Sequence, residues 1–299
     1  MVIVAGTELW QWRKQAKQEA LASGIAPKEV DWLLQEITNL DSLTLRLELF
    51  KDFEHIELPF PLLQLEQLWQ RRVQESVPLQ YLAGSTGWRQ FSLQVAPGVL
   101  IPRPETEQII DLALAATEAG KCEGKLKSGV WVDLGTGSGA IAVGLADVFP
   151  QATIHAVDIS PTALTIAQNN AQNLGFANRI KFHQGSWWQP LAALKGKVSG
   201  MVANPPYIPA TQVPQLQPEV AKHEPHLALN GGDDGLDCIR HLISTSATYL
   251  CPGGIWLIEM MAGQAEVVKQ LLYQDGSYSQ IQIYRDLAGI ERFALAYRN

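Results

Sequence analysis

Residues 130 to 146 read VWVDLGTGSGAIAVGLA. An apolar run, Val130 to Leu134, stops at a turn with glycine at alternate positions, Gly135, Gly137 and Gly139, and a second apolar run follows at once. The first run has the length of a buried strand and the second opens a helix, so the stretch reads as strand, turn and helix. Glycines in such a turn let backbone amides approach a ligand, and the helix N-terminus behind them favours negative charge. By itself a glycine-rich turn is ambiguous, since it also serves dinucleotides and sometimes only packs a helix on a strand. The Gly135-x-Gly137-x-Gly139 order departs from the dinucleotide spacing GxGxxG.

Downstream the same rhythm repeats. TIHAVDIS precedes PTALTIAQNNAQNLG, then come RIKFHQG, VSGMVANPPY, GLDCIRHLISTSATYL with GIWLIEM, and AEVVKQLLYQ. Continuous apolar strands separated by helices imply a parallel sheet covered on both faces. QIQIYRD and RFALAYR are separated only by a short loop, and short loops make antiparallel pairs. The expected fold is α/β, a Rossmann-like, mostly parallel seven-stranded sheet with an antiparallel last strand, the arrangement of class I methyltransferases.

The strand after the glycine turn ends in Asp158, 23 residues beyond Gly135, where a carboxylate accepts both hydroxyls of a ribose. Together with the turn Gly135, Thr136, Gly137, Ser138 and Gly139, it indicates an adenosine cofactor with a free ribose. The spacing favours S-adenosylmethionine over NAD, and the bland alternative is tight packing with Asp158 as a helix cap. In QGSWWQP, Trp187 or Trp188 is placed to stack on an adenine, or simply to fill core.

Upstream, the chain reads as short amphipathic helices. ELWQWRKQAKQEALAS follows Thr7 as N-cap and stops at Gly24; after Pro27, Val30, Leu33, Leu34 and Ile37 share one face. SLTLRLELFKDF and LLQLEQLWQRRVQES continue the style, which makes a small helical bundle over residues 1–75. That segment holds 8 basic and 12 acidic residues, and is either a packing domain or a docking surface for a protein substrate. Residues 76–105 read as a linker with a hairpin around WRQFSLQV, and residues 106–299 as the catalytic domain.

The chain has 299 residues, 46% hydrophobic and 18% charged, with a net charge of -7, which suits one large core plus a smaller one and disfavours a partner bound through phosphates. Cys122, Cys238 and Cys251 have no ligand spacing and read as reduced thiols of a cytoplasmic protein. His223 and His226 lack a third ligand, so no metal is expected. The brief apolar start, MVIVAG, lacks a basic leader and is too short for a membrane span, so no membrane partner is expected.

The sheet's fourth strand ends in Asn204-Pro205-Pro206-Tyr207. Two prolines donate nothing to a sheet ladder, and the residue before a proline is held extended, so Asn204 sits stretched at the strand tip. A planar amide or aminoheterocycle nitrogen is a poor nucleophile because its lone pair is delocalised. Two acceptors, the Asn204 side-chain oxygen and the Pro205 carbonyl, suit its two N–H bonds and turn the lone pair toward a sulfonium methyl; the Tyr207 ring suits stacking on the plane of the group. No general base is needed before attack, and positioning carries the rate.

VLIPRPETE, DLGTGSGAIAVGLA, AVDIS, NPPYI and EPHLALNGGDDGL together resemble the protein-(glutamine-N5) methyltransferases of peptide-chain release factors, over about residues 80–299. The resemblance implies transfer from S-adenosylmethionine, leaving S-adenosylhomocysteine, to the glutamine of the Gly-Gly-Gln loop. It also implies Gly135 to Gly139, Asp158, Trp187 and Asn204 at the cofactor, and Asn204, Pro205, Pro206 and Tyr207 at the glutamine. Three positions depart from the pattern. Ser186 stands where the family often has Asp, leaving a carboxylate contact to the adenine amino group open; His223 stands for Phe; and GIERFAL replaces the usual Asn or Asp after Gly289. The same tetrapeptide suits adenine N6 and cytosine N4, so a DNA or RNA methylase is a rival; such an enzyme needs a basic cleft, which the sequence lacks beyond Arg71-Arg72. A sibling acting on a ribosomal-protein glutamine is nearer. A nicotinamide dehydrogenase, against which the glycine spacing argues, and a silent cofactor-binding module, against which the intact Asn-Pro-Pro-Tyr argues, are rivals of other classes.

Overall fold

Val2–Val4 forms a short strand, β1, antiparallel to β2 (Ile56–Leu58). Between them lie α1 (Gly6–Ala22), α2 (Lys28–Ile37) and α3 (Ser42–Arg46), and after β2 come α4 (Leu62–Glu75) and α5 (Leu79–Ala83). The front is therefore not wholly helical as expected, because three-residue strands are too short for a two-residue period to stand out. Helix α1 also starts ahead of Thr7. Ala5 is its N-cap, with its N–H donating to Glu8 Oε2 at 3.1 Å, while the N–H of Gly6 donates to the Phe53 carbonyl at 2.8 Å. A Cβ at Gly6 would lie 1.9 Å from the Phe50 carbonyl oxygen, so only glycine fits that approach. Leu9, Leu33, Leu34, Leu65 and Trp69 form the centre of this unit's core.

The structure, a computed structural model, describes residues 1–119 and 125–299, and Cys122 lies outside the described residues. The chain divides into two compact units, Met1–Thr86 with Gln217–His223, and Gly87–Leu216 with Glu224–Asn299. Within the first unit the buried Arg72 holds the 217–223 segment, bonding Glu219 at 2.7 Å and Glu29 at 2.8 Å.

Strands β3 (Ser85–Trp88) and β4 (Phe91–Gln94) pair around WRQF, as the alternation there predicts. The remaining chain runs through α6 (Gln108–Ala119), α7 (Lys125–Ser128), β5 (Val130–Leu134), α8 (Ala140–Val148), β6 (Thr153–Asp158), α9 (Pro161–Asn173), β7 (Ile180–Gln184) and β8 (Val198–Ala203). It continues with α10 (Pro218–His223), α11 (His226–Leu229), α12 (Asp237–Ser246), β9 (Leu250–Glu259), α13 (Ala265–Asp275), β10 (Tyr278–Arg285) and β11 (Glu291–Arg298).

Seven of these strands form one sheet in the order β10-β11-β9-β8-β5-β6-β7. Strands β5 to β9 pair in parallel, and β11 lies antiparallel between β9 and β10. The turn between β10 and β11 is short, with the Asp286 carboxylate accepting the N–H groups of Ala288 and Ile290, and a return that tight permits only an antiparallel strand. On one face α6 and α8 bury Ile110, Ala142 and Leu145 against Trp131, Ala156 and Leu257. On the other, α12 and α13 bury Ile239, Leu242 and Val268 against Val132, Met201 and Trp256. This is the expected α/β fold, and its chain order reverses beside β5. The path goes from β5 outward to β6 and β7, then returns to β8 on the other side. The connections leaving the carboxyl ends of β5 and β8 run to opposite faces at that point, where open α/β sheets bind their ligands.

Candidate active site

Leu134 and Ala203 are register partners at the ends of β5 and β8, so the glycine turn and Asn204 leave the sheet from adjacent positions. Between them opens a cavity of about 320 Å³. Gly135, Thr136, Gly137, Ser138, Asp158, Trp187, Asn204 and Pro206 all line it. Of the other residues expected at the site, Gly139 caps α8, Pro205 is buried, and Tyr207 is partly buried beside the lining.

Gly135, Gly137 and Gly139 have φ of 78°, 55° and 83°, left-handed conformations that L side chains resist. A Cβ at Gly139 would come within 3.0 Å of Ala167, whereas at Gly137 nothing lies within 4 Å, because that glycine faces open space. The N–H of Gly137 donates to Asp158 Oδ2 at 2.8 Å, and that of Ser160 to Asp158 Oδ1 at 2.9 Å. Each oxygen keeps a lone pair for another donor. Burial pushes the Asp158 carboxyl above its ordinary value, against the backbone donors that lower it. Ser160, not Asp158, accepts the N–H of Ala163 as N-cap of α9.

Asp133, near the end of β5, is a further buried acid behind the glycine turn, with no spacing signal of its own in the sequence. It is fully buried; Oδ2 accepts from Thr136 Oγ1 at 2.5 Å and from the Ala142 N–H at 3.1 Å, and Oδ1 has no partner among the described residues. Burial raises its carboxyl to about 7. The two tryptophans separate cleanly. Trp188 is core, stacked on Tyr249 with centroids 4.3 Å apart and donating from Nε1 to Ser246 Oγ. Trp187 lines the cavity, its ring 3.6 Å from the place a Gly135 Cβ would occupy, on a backbone held at φ 49°. An adenosine group with an amino-acid tail fits this donor set. The open face of the glycine turn, the Asp158 carboxylate with acceptor capacity to spare and the Trp187 ring on the cavity wall suit its amino-acid tail, ribose hydroxyls and base.

On the opposite wall, Asn204 Nδ2 donates to Thr106 Oγ1 at 3.2 Å, which leaves Oδ1 as the atom offered to an incoming N–H. The Tyr207 hydroxyl donates to Glu259 Oε1 at 3.0 Å, and burial together with that carboxylate raises the phenol. The loop is stitched to the segment that follows it. Ile208 N–H donates to the Leu229 carbonyl, Gly231 N–H to the Ile208 carbonyl, and Gln264 Nε2 to the carbonyls of Tyr207 and Gly235. A Cβ at Gly235 would stand 2.3 Å from the Tyr207 carbonyl oxygen, which explains a glycine-rich NGGDDG turn so far along the chain. Buried Glu224 accepts from Arg103 Nη2 at 2.6 Å and from the Ile101 N–H at 3.2 Å, fastening the IPRP segment beside the cavity. Among the described residues no group of three or more His, Cys, Asp or Glu side chains is placed to share a metal ion, and no helix is long and apolar enough to cross a membrane.

The crossover cavity on this sheet, with a glycine turn on one wall and Asn-Pro-Pro-Tyr on the other, defines a class I methyltransferase. A methyltransferase domain family matches residues 126–278, and the fold is shared with the catalytic domain of hMettl16 in complex with the MAT2A 3'UTR hairpin 6 (TM-score 0.57, 12% identity, 89% of this chain and 88% of that one). Sequence similarity is narrower. The chain is 54% identical over 298 residues, 98% of its length and 97% of the relative's, to the release factor glutamine methyltransferase of Synechocystis sp.. It is 44% identical to that of Thermosynechococcus vestitus, over 96% of both chains. The chain belongs to the release factor glutamine methyltransferases.

Proposed function

We infer that this protein methylates the side-chain amide nitrogen of the glutamine in the Gly-Gly-Gln loop of peptide-chain release factors, working in the cytoplasm beside the translation machinery. The observation that carries the reading is the orientation of Asn204, whose amide nitrogen is taken by Thr106 and whose oxygen is left to accept from an N–H donor entering the cavity. S-Adenosylmethionine supplies an electrophilic methyl on a sulfonium and leaves as S-adenosylhomocysteine. The Gly135 to Gly139 turn, set by Asp133 through Thr136, would lie against its tail, Asp158 would accept the ribose hydroxyls, and Trp187 would face the base.

Asn204 Oδ1 and the Pro205 carbonyl accept the two N–H bonds of the substrate amide, which fixes its plane and draws the nitrogen lone pair out of conjugation. The ring of Tyr207 limits the tilt of that plane. As the N–C bond forms, the nitrogen sheds one proton along the hydrogen bond that already holds it, and water takes it up. Positioning of this kind supplies the rate without a strong base. The helical unit is assigned the binding of the factor outside its loop.

The test is direct. The purified protein, labelled methyl donor and a whole release factor should yield one methyl on the glutamine-containing peptide by mass spectrometry. Label on bases of added nucleic acid, or none on the glutamine, overturns the reading.

A further inference from the structure

Glu259 ends β9 and Thr106 lies in the one-turn helix Pro104–Glu107; their side chains meet although 153 residues separate them. Thr106 is 4% exposed and Glu259 1%. Thr106 Oγ1 and Glu259 Oε2 are 2.6 Å apart, Asn204 Nδ2 stands 3.2 Å from Thr106 Oγ1, and the Tyr207 hydroxyl stands 3.0 Å from Glu259 Oε1. One carboxylate thus reaches both side chains of the Asn-Pro-Pro-Tyr loop, one through each oxygen.

With Glu259 ionised, the polarity of this chain is fixed. An ionised carboxylate only accepts, so the single proton of the Thr106 hydroxyl goes to Glu259 and only lone pairs remain for Asn204. Lone pairs admit the NH2 end of the Asn204 amide and repel its oxygen. Tyr207 is fixed in the same way by the other oxygen. We propose that Thr106 and Glu259 are positioning residues of the methyl-transfer reaction, acting as a relay that holds the Asn204 oxygen and the Tyr207 ring in the orientation the substrate amide requires. The proposal rests on the function inferred above.

The surroundings of Glu259 make the relay sensitive to protonation. Arg292, held by Asp286 at 2.7 Å, favours the charged form, as do the Thr106 and Tyr207 hydroxyls, whereas Glu105 opposes it; burial is the largest influence and raises the carboxyl above its ordinary value. A proton on Glu259 gives the carboxyl a donor of its own. That donor satisfies the Thr106 oxygen, frees the Thr106 proton for the Asn204 oxygen, and inverts the amide.

Three variants test the relay: Thr106→Ser, which keeps the hydroxyl, Thr106→Val, which keeps the shape, and Glu259→Gln, which turns one of the two acceptors into a donor. The first readout needs no substrate. In nitrogen-15 spectra of the whole protein, the Asn204 side-chain NH2 pair should keep its shifts and slow solvent exchange in Thr106→Ser and lose both in Thr106→Val. The second readout is transfer to the whole release factor. Thr106→Val should lower kcat by about ten- to hundredfold, the scale on which loss of an orienting partner acts, with calorimetric affinity for S-adenosylmethionine retained and Thr106→Ser near wild type. Glu259→Gln should lower kcat and remove the acid limb of its pH profile. If thermal melting shows that Thr106→Val does not fold, Glu259→Gln decides by the same spectra and profile. Equal rates and equal Asn204 signals in the Ser and Val variants, or a loss of cofactor affinity matching the loss of kcat, overturn the relay. A wild-type protein that leaves the release-factor glutamine unmodified overturns the proposed function instead, and the Asn204 spectra then judge the relay alone.

Discussion

The backbone N–H of Gly137 donates to Asp158 Oδ2 across 2.8 Å, so the glycine turn after β5 directly holds the carboxylate that ends β6. The two halves of the cofactor wall are therefore one unit. Its backbone amide and its acid share that bond, and the Ser160 N–H fixes the other carboxylate oxygen.

Asp158→Ala removes a charged acceptor placed for two ribose hydroxyls. Charge-assisted hydrogen bonds are worth about 1.5 to 3 kcal/mol, so S-adenosylmethionine affinity should fall by roughly ten- to hundredfold. Because burial raises this carboxyl and binding needs it ionised, affinity in the wild type should also weaken as pH falls through the raised value. Calorimetry showing the same affinity for Asp158→Ala as for wild type would remove Asp158 from the site.

Asn204→Ala should divide binding from chemistry in the opposite sense. Cofactor affinity stays largely intact, while kcat for transfer drops by orders of magnitude because the lost acceptor acts at the reacting nitrogen. Asn204→Asp is the sharper variant. It places an acceptor against the Thr106 oxygen, whose proton is already committed to Glu259, so the carboxylate must rotate away from Thr106. Single-turnover rates for Asn204→Ala close to wild type would end the amide-clamp mechanism.

Asp133 gives a stability signature. Its folded value is about 7 against 3.8 for the free side chain, so between those values the folded protein holds a proton that the unfolded chain has released. Stability from this group is greatest at low pH and falls as pH rises through that window. Asp133→Asn cannot titrate and keeps an acceptor for Thr136 and Ala142. In the ligand-free protein, its melting temperature relative to wild type should therefore improve from about pH 4 to about pH 7 and level off above that. A difference that stays flat across that range rules out a buried, proton-holding Asp133.

Much of this architecture is written in local pattern. The apolar runs of β5, β6, β8 and β9 and the amphipathic spacing of α12 and α13 are periodic over single elements, and the glycine turn, Asp158 and Asn-Pro-Pro-Tyr each sit where a strand stops. What is not legible depends on residues far apart. Nothing near Thr106 in IPRPETE announces Glu259, 153 residues on, although a carboxylate ending the apolar run GIWLIE is a signal worth reading. The choice between Trp187 and Trp188 turns on a kinked backbone and on Ser246 and Tyr249, both from another element. The 217–223 segment joins the helical unit because Arg72 and Glu219 meet, a pairing that no spacing rule predicts.

The helical unit offers the last prediction. Leu43, Leu47, Leu49 and Phe53 are 50%, 56%, 50% and 45% exposed, an apolar surface on α3 and the turn after it, apart from that unit's buried core. If this unit binds the release factor outside its glutamine loop, its contribution is remote binding energy, which a short Gly-Gly-Gln peptide cannot use. The double variant Leu47→Ser with Phe53→Ser leaves the core untouched and should raise KM for the whole factor while sparing the weak reaction of the peptide. Salt should change either reaction only modestly, because a chain of net charge -7 has no array of phosphate contacts from which to release counterions. Equal KM values for the variant and wild type on the intact factor would take the docking role away from this surface, and a steep salt slope accompanied by methylation of naked DNA would move the substrate from protein to nucleic acid.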